Sequence, residues 1–293
     1  NSNIAVDTTW TEASSPYHIT ANIIVNSGVT LTISKNVKVY LDCYKSITVM
    51  GGLVVNGLPG QVVEFSRLTP SCSWGRLYIT ASSLPSVITN DAYTSGSIIQ
   101  YALFKDGGRS DASTAIDIVR VSDTSMFMSN IDISNVAGNS LNVDSTLGST
   151  VILTSINADT SQAKGIVGSI PSGTLKIYSS YITNQLGYGI DVAANYTVIQ
   201  STTVTNSYGG IYARPSFSLI DSNTISSLNG GSSYTSLRVD AYSANNLLNP
   251  NNNVVTNNAI RNCNPVIILN IKAVLFEYNL IENNYVPSGS IGV

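Results

Sequence analysis

A β-rich phrase with an aliphatic anchor returns every twenty-odd residues over the C-terminal two-thirds of this chain, and that period leaves few folds open. The copies read NIDISN (130–135), SINADT (155–160), SYITN (180–184), TTVTN (202–206), NTISS (223–227), NAIRN (258–262) and NLIEN (279–283). Their anchors are Ile133, Ala158, Ile182, Val204, Ile225, Ile260 and Ile281, spaced 25, 24, 22, 21, 35 and 21 residues apart. A repeat of this length is one coil of a solenoid, which cannot bury its apolar side alone and does so by stacking. The long spacing contains SSLNGGSSYTS and AYSANNLLNPNNN, whose Gly, Ser, Asn and Pro mark a loop inserted into one coil.

A second phrase keeps step with the first: GNSLNV, AKGIVG, GYGIDV, YGGIYA, YTSLRV and NPVIIL, with aliphatic positions Leu141, Ile166, Ile190, Ile211, Leu237 and Ile267. Phrases this short, rich in Val, Ile, Thr and Tyr and broken by Gly or Asn, are strands, and no window carries a sustained helical stripe. The expectation is an all-β chain: one parallel β-solenoid of about 10–12 coils, on the order of 50–60 Å long at the usual strand spacing. Residues 95–293 form its regular, Asn-cornered part, with Ile182, Val204 and Ile225 in one interior row. Residues 10–94 (ANIIVN, VTLTIS, VKVYLD, SITVMGGLVVN) are its opening coils, and residues 1–9 are an N-terminal arm or cap.

Two residues after each anchor stand Asn135, Thr160, Asn184, Asn206, Ser227, Asn262 and Asn283. Asparagine tolerates the left-handed backbone of a sharp corner, and stacked copies can hydrogen-bond along the solenoid as a ladder. These asparagines are therefore read as structural corners rather than catalytic groups.

The coil length, the x-N-x-I-x-N phrase and the G-I phrase after it resemble the right-handed parallel β-helix of the pectin-lyase-like superfamily, over roughly residues 95–293. The opening pattern, W then SPY-x-I, I-x-V, a single G-x-TL-x-I and V-x-V within residues 10–80, resembles the first coils of large secreted or cell-surface β-helix proteins of the Bark beetle/Anakonda kind. The first resemblance implies a right-handed coil and, for its enzymes, cleavage of polysaccharides by paired carboxylates or by a base with calcium. The second implies a secreted or cell-surface protein.

Charged residues make up only 11% of the chain, and 14 basic against 17 acidic groups give a net charge of −3. No polycationic face is available for nucleic acid. No apolar run is long enough to span a membrane. Cys43 and Cys72 lie 29 residues apart, one coil plus a small loop, so a disulfide between adjacent coils competes with two free buried thiols. Cys263, beside the corner Asn262, reads as a small core or corner residue, or as an intermolecular link. One glycosylation sequon is present, at Asn195. No spacing suits a metal, and no cofactor is expected.

His18 is the only histidine, so histidine-dependent catalysis has no basis here. Asp132, Asp159, Asp221, Glu277 and Glu282 fall at different coil positions and make no pair. The candidate binding row is the position after the second anchor, held by Val167, Asp191, Tyr212 and Arg238. A carboxylate, a phenol and a guanidinium one coil apart could hold a sugar; the plainer alternative is a solvated outer face. Sixteen tyrosines in a charge-poor chain, many near corners, suit carbohydrate stacking or protein contact.

These features lean away from an enzyme. They favour a secreted structural or adhesive module, with a carbohydrate-active enzyme (polysaccharide lyase or glycoside hydrolase) or carbohydrate-binding protein as the alternative. Partners are expected to be other extracellular proteins, a polysaccharide, or further copies stacked end to end into a filament or surface layer. The chain closes at PSGSIGV with no charged cap, which leaves residues Ile4–Trp10 of a neighbour as the expected cover.

Overall fold

One side chain in and one side chain out is the rhythm of these short phrases, and the fold uses it to wrap three walls around a filled interior. In a computed structural model the chain is a parallel β-solenoid of about ten turns, with no α-helix among the described residues. The structure describes residues 2–111, 114–230, 234–240, 253–263, 268–270, 274–282 and 284. Each turn gives one strand to each wall. The first wall runs from Ser2–Ile4 through Ile23–Val25, Ile47–Val49 and Leu77–Ile79 to Leu237–Asp240 and Ile268–Asn270. The second begins at Thr8–Trp10 and Thr30–Ser34 and ends at Asn253–Thr256 and Val274–Glu277. The third begins at Tyr17–Ile19 and Lys38–Leu41 and ends at Ala259–Arg261 and Leu280–Glu282. Residues 1–9 are expected as an arm or cap; the strands Ser2–Ile4 and Thr8–Trp10 belong to the walls of the first turn.

The repeat seen in the sequence is the register of the third wall. Ile133, Ala158, Ile182, Val204, Ile225, Ile260 and Ile281 are direct partners from one coil to the next. The first six are at most 1% exposed. Leu141, Ile166, Ile190, Ile211 and Leu237 form the matching interior row of the first wall, and Ile267 lies outside the described residues. Toward the N-terminus the interior is filled by larger groups, with Trp74 fully buried and Phe65 stacked on Phe104 at 4.7 Å.

Two left-handed corners bound each panel of the third wall. Two residues after the anchors, Asn135, Thr160, Asn184, Asn206, Ser227 and Asn262 all have φ between 49 and 55°. Three residues before them, Asn130, Ser155, Ser179, Ser201, Ser222, Asn257 and Tyr278 have φ between 47 and 56°. Short polar side chains accept this backbone at the lowest cost, which explains why Asn and Ser dominate both positions. Asn283 lies outside the described residues. Where the chain passes to the first wall, coils approach closely enough to require glycine: a Cβ on Gly210 would lie 2.0 Å from the Ser236 carbonyl oxygen.

The amide ladder exists, but at a different place from the one expected. The corner asparagines reach outward to acids of the preceding coil, Asn135 to Asp106 and Asn184 to Asp159 at 2.7 Å. The continuous ladder runs inside, two residues before the anchors. The Asn223 side chain donates to Asn258 Oδ1 and the Asn258 side chain to Asn279 Oδ1, each at 2.9 Å. Each also donates to a carbonyl, Ile199 at 2.8 Å, Ile220 at 2.9 Å and Val255 at 2.9 Å for the three in turn. In the x-N-x-I-x-N phrase the first asparagine is the rung and the last is the corner. The rungs Asn223 and Asn258 are 1% exposed and so must satisfy their amides within the protein, while Asn279 is half-buried.

Cys43 and Cys72 are joined by a disulfide with a Cα separation of 5.5 Å, and Cys263 is a free, buried thiol. Burial pushes the Cys263 pKa up to about 11, which keeps it a neutral core group.

Because the third-wall row is packed from both neighbouring coils, Ile182→Ala is expected to cost about 3 kcal/mol, a typical value for a buried aliphatic truncation. Thr203→Ala, on the outer face of the same wall, is expected to stay within about 0.5 kcal/mol. Urea unfolding of both variants checks the contrast; equal losses would contradict the register.

Candidate functional site

The outer face of the first wall carries the candidate row. Successive coils place Asn142, Val167, Asp191, Tyr212 and Arg238 in direct register. Alternation sends these side chains outward, because Ile190, Ile211 and Leu237 beside them point in. Asp191, Tyr212 and Arg238 are therefore brought together on one face.

Their polar groups are already engaged. Asp191 is 5% exposed, and its two oxygens accept from Lys164 Nζ and, at 2.6 Å, from Arg214 Nη2. Tyr212 lies between two guanidinium groups, with Arg214 4.6 Å and Arg238 4.8 Å from its ring centroid. The Tyr212 hydroxyl donates to Asp240 Oδ2 at 3.0 Å, and Arg238 Nε donates to the same oxygen at 2.8 Å. Burial, followed by the bond to Asp240, raises the Tyr212 pKa, while the bond to Asp240 raises that of Arg238. Tyr188 continues the aromatic column, 5.5 Å from Tyr212 and 5.2 Å from Tyr234, which meets Tyr208 edge-on at 5.8 Å.

This arrangement holds coils together. A general base needs a lone pair that a substrate proton can reach. Asp191 offers neither access nor a free oxygen, because it is buried and each oxygen already accepts from a cation. The sequence reading missed Lys164, Arg214 and Asp240. Arg214 and Asp240 each stand two residues after a residue of the outer row, on the same face, and that spacing was the available signal; Lys164 precedes its strand and carried none.

A second polar group lies lower on the same wall. Arg120 pairs with Asp144, lies 3.9 Å from Asp117, and stands 5.9 Å from the Tyr78 ring centroid, with Arg76 5.3 Å from that ring. Asp117 is 2% exposed and accepts from Asn139 at 2.6 Å and Asn142 at 2.9 Å. Beside them is an open notch of about 350 Å³, lined by Tyr78, Arg120, Asp123, Asp144, Ser169 and Pro171 among others.

The other acids singled out in the sequence are dispersed. Asp132 accepts from Asn157 at 3.0 Å on the third wall, and Glu282 pairs with Arg261 at 2.6 Å. Asp221, on the second wall, accepts from Asn257, Thr256 and Gln200, and the Asn257 amide is the main reason its pKa is lowered. Glu277 is exposed on that wall. Asn195 is half-buried between the first and second walls, and its carbonyl accepts from the Ser216 amide at 3.2 Å. Tyr242 lies outside the described residues. Among the described residues no group of three or more His, Cys, Asp or Glu could hold a metal ion, and no helix is long and apolar enough to cross a membrane.

Fold and face together define the chain as a parallel β-solenoid repeat protein. No protein-family model matches the chain, and no curated protein shows significant similarity to it.

Two outcomes follow from this geometry. Asp191→Ala strands two cations, and is expected to cost about 2 kcal/mol, against about 1 for Arg238→Ala; thermal or urea unfolding of each measures this. Asp221 and Asp123 have lowered folded pKa values, Asp123 chiefly through the Thr146 backbone N–H. Their contribution is complete above the unfolded carboxylate pKa of about 3.9 and is lost as pH falls through the lowered values. Stability should therefore drop below about pH 4, and the drop should be shallower in Asp221→Asn.

Proposed function

We propose that the chain is an extracellular structural or adhesive module, a right-handed β-helix of the pectin-lyase-like kind similar to Bark beetle/Anakonda surface proteins. The observation that carries this reading is the closed network on the candidate row: its carboxylates, phenol and guanidinium groups bond to one another and bind coil to coil. The Cys43–Cys72 disulfide supports an oxidising, extracellular setting. The low charge supports close approach of like molecules, and end coils of a solenoid offer strand edges to a further coil. The partners of this reading are further copies or other extracellular proteins.

The purified chain is expected to release no product from pectate, alginate or polygalacturonate. Reducing-sugar and ultraviolet assays of unsaturated ends check this. Turnover that vanishes in both Asp191→Ala and Arg238→Ala would overturn the reading in favour of an enzyme.

One observation favours a second reading, carbohydrate binding without cleavage. The notch beside Tyr78 offers a ring face, the Asp123 and Asp144 carboxylates and the Ser169 hydroxyl, which together suit a hydroxylated ring. Affinity electrophoresis in gels containing neutral or acidic polysaccharide tests it. Retardation lost in Tyr78→Ala would support it, and unaltered mobility in every gel would exclude it.

A further inference from the structure

Between the fourth strand of the first wall, Leu77–Ile79, and the second-wall strand that follows it, the chain leaves the parallel sheet. Val87–Thr89 pairs antiparallel with Ala92–Ser95, and Asn90 and Asp91 form the tip with φ of 52 and 63°. The hairpin lies across the outside of the second wall. Its tip reaches Lys176: both Asp91 oxygens accept from Nζ, at 2.6 and 2.7 Å, and the Tyr178 hydroxyl donates to Asp91 at 3.3 Å. Nearer the base, the Tyr93 ring is 6.2 Å from Phe127.

What lies beneath is unusual for an outward row. Ile98, Phe127, Ile152 and Lys176 are direct partners on successive coils. Alternation points them away from the core, since Ile99, Met128, Leu153 and Ile177 beside them fill it. Yet Ile98 is 5% and Ile152 1% exposed. The hairpin alternates accordingly: Ile88 and its partner Tyr93 are half-buried, whereas Val87, Thr89, Ala92 and Thr94 are exposed. Its inner face thus complements an apolar strip on the outside of the wall.

The two ends of the hairpin are held differently. At the base, Ser86 N donates to the Ser125 carbonyl at 2.9 Å, and Ser86 Oγ accepts from Phe127 N at 2.8 Å. The return bend at Gly96 has φ of 89°, and a Cβ there would lie 2.0 Å from the Pro85 carbonyl oxygen. The tip depends on an ion pair whose acid is 46% exposed, a weak and salt-sensitive contact.

We propose that this hairpin is a detachable cover, and that the strip beneath it docks the same hairpin of a second copy of the chain. Every copy carries both the cover and its complement, so an exchanged pair of hairpins re-forms every contact of the closed form except the return bend at Gly96, which opens as the hinge. No other occupant arrives with an inner face already matched to the strip. The inference concerns lateral pairing through the second wall and does not rest on an extracellular or adhesive role.

Light scattering across a range of concentrations, with fluorescence exchange between two labelled populations, tests it. Both forms make the same latch, so Lys176→Ala should speed subunit exchange by about two- to five-fold while leaving the dimer dissociation constant within about two-fold. Gly96→Ala strains the closed bend and should raise the dimer fraction by about five-fold or more. Replacing residues 87–95 by a Gly-Ser link should abolish the dimer; should that chain misfold by circular dichroism, the double substitution Ile88→Ser, Tyr93→Ser decides instead. A dimer that persists without the hairpin's inner face, or monomers at every concentration in both the native chain and Gly96→Ala, would overturn the proposal.

Discussion

Everything in this molecule depends on coil-to-coil registration, and over the C-terminal coils the interaction that enforces it is the buried amide ladder beside the aliphatic rows. Hydrophobic stacking alone is tolerant: an isoleucine rests almost as well on the near side of its neighbour as on the far side. A buried amide is not. Asn258 must meet Asn223 and Asn279 on either side and the Ile220 carbonyl across the corner, and an unmet amide in that interior costs on the order of 1–3 kcal/mol. Earlier coils use shorter groups at the same place, with Thr202 accepting from Ser180 N and donating its own N–H to Asn223. From Ser180 to Asn279 the ladder therefore sets the rotational phase of successive coils, and the aliphatic rows supply the bulk of the burial.

The outer faces inherit that phase. Asp191, Tyr212 and Arg238 stand in one register column, and Lys164, Arg214 and Asp240 beside it complete their pairing. The first wall thus reads as alternating carboxylate, guanidinium and phenol in which each group has its neighbour as partner. The same logic recurs at the corners, where asparagines reach acids of the coil before. A chain so poor in charge places much of its charge where it ties one coil to the next.

Much of the fold was legible because solenoids write their geometry as a period. The anchors from Ile133 to Ile281 were spaced like stacked coils and proved to be direct partners. The corner residues were legible for the same reason, since only a few side chains accept a left-handed backbone. The second corner row went unread because serine and asparagine share it without a repeated letter. The ladder was assigned to Asn135 and its equivalents rather than to Asn223 and its equivalents: around Ile260 and Ile281 the sequence shows an asparagine on either side of the anchor but not which one is buried. The site was half legible, since Tyr212 and Arg238 could be placed in a row, but the fate of their hydrogen bonds depended on Lys164, Arg214 and Asp240. The hairpin was invisible, because SSLPSVITNDAYTSGS carries the composition of an ordinary loop and its cover function lies in contacts with strands up to 87 residues away.

The central claim is that the interior amides act as one cooperative ladder rather than as separate polar residues. A double-mutant cycle of Asn223→Ala and Asn258→Ala, followed by urea unfolding, measures this directly. The account predicts that the two losses are coupled by about 1 kcal/mol, because removing one rung already leaves its neighbour unpaired. Losses that simply add, to within about 0.3 kcal/mol, would contradict it.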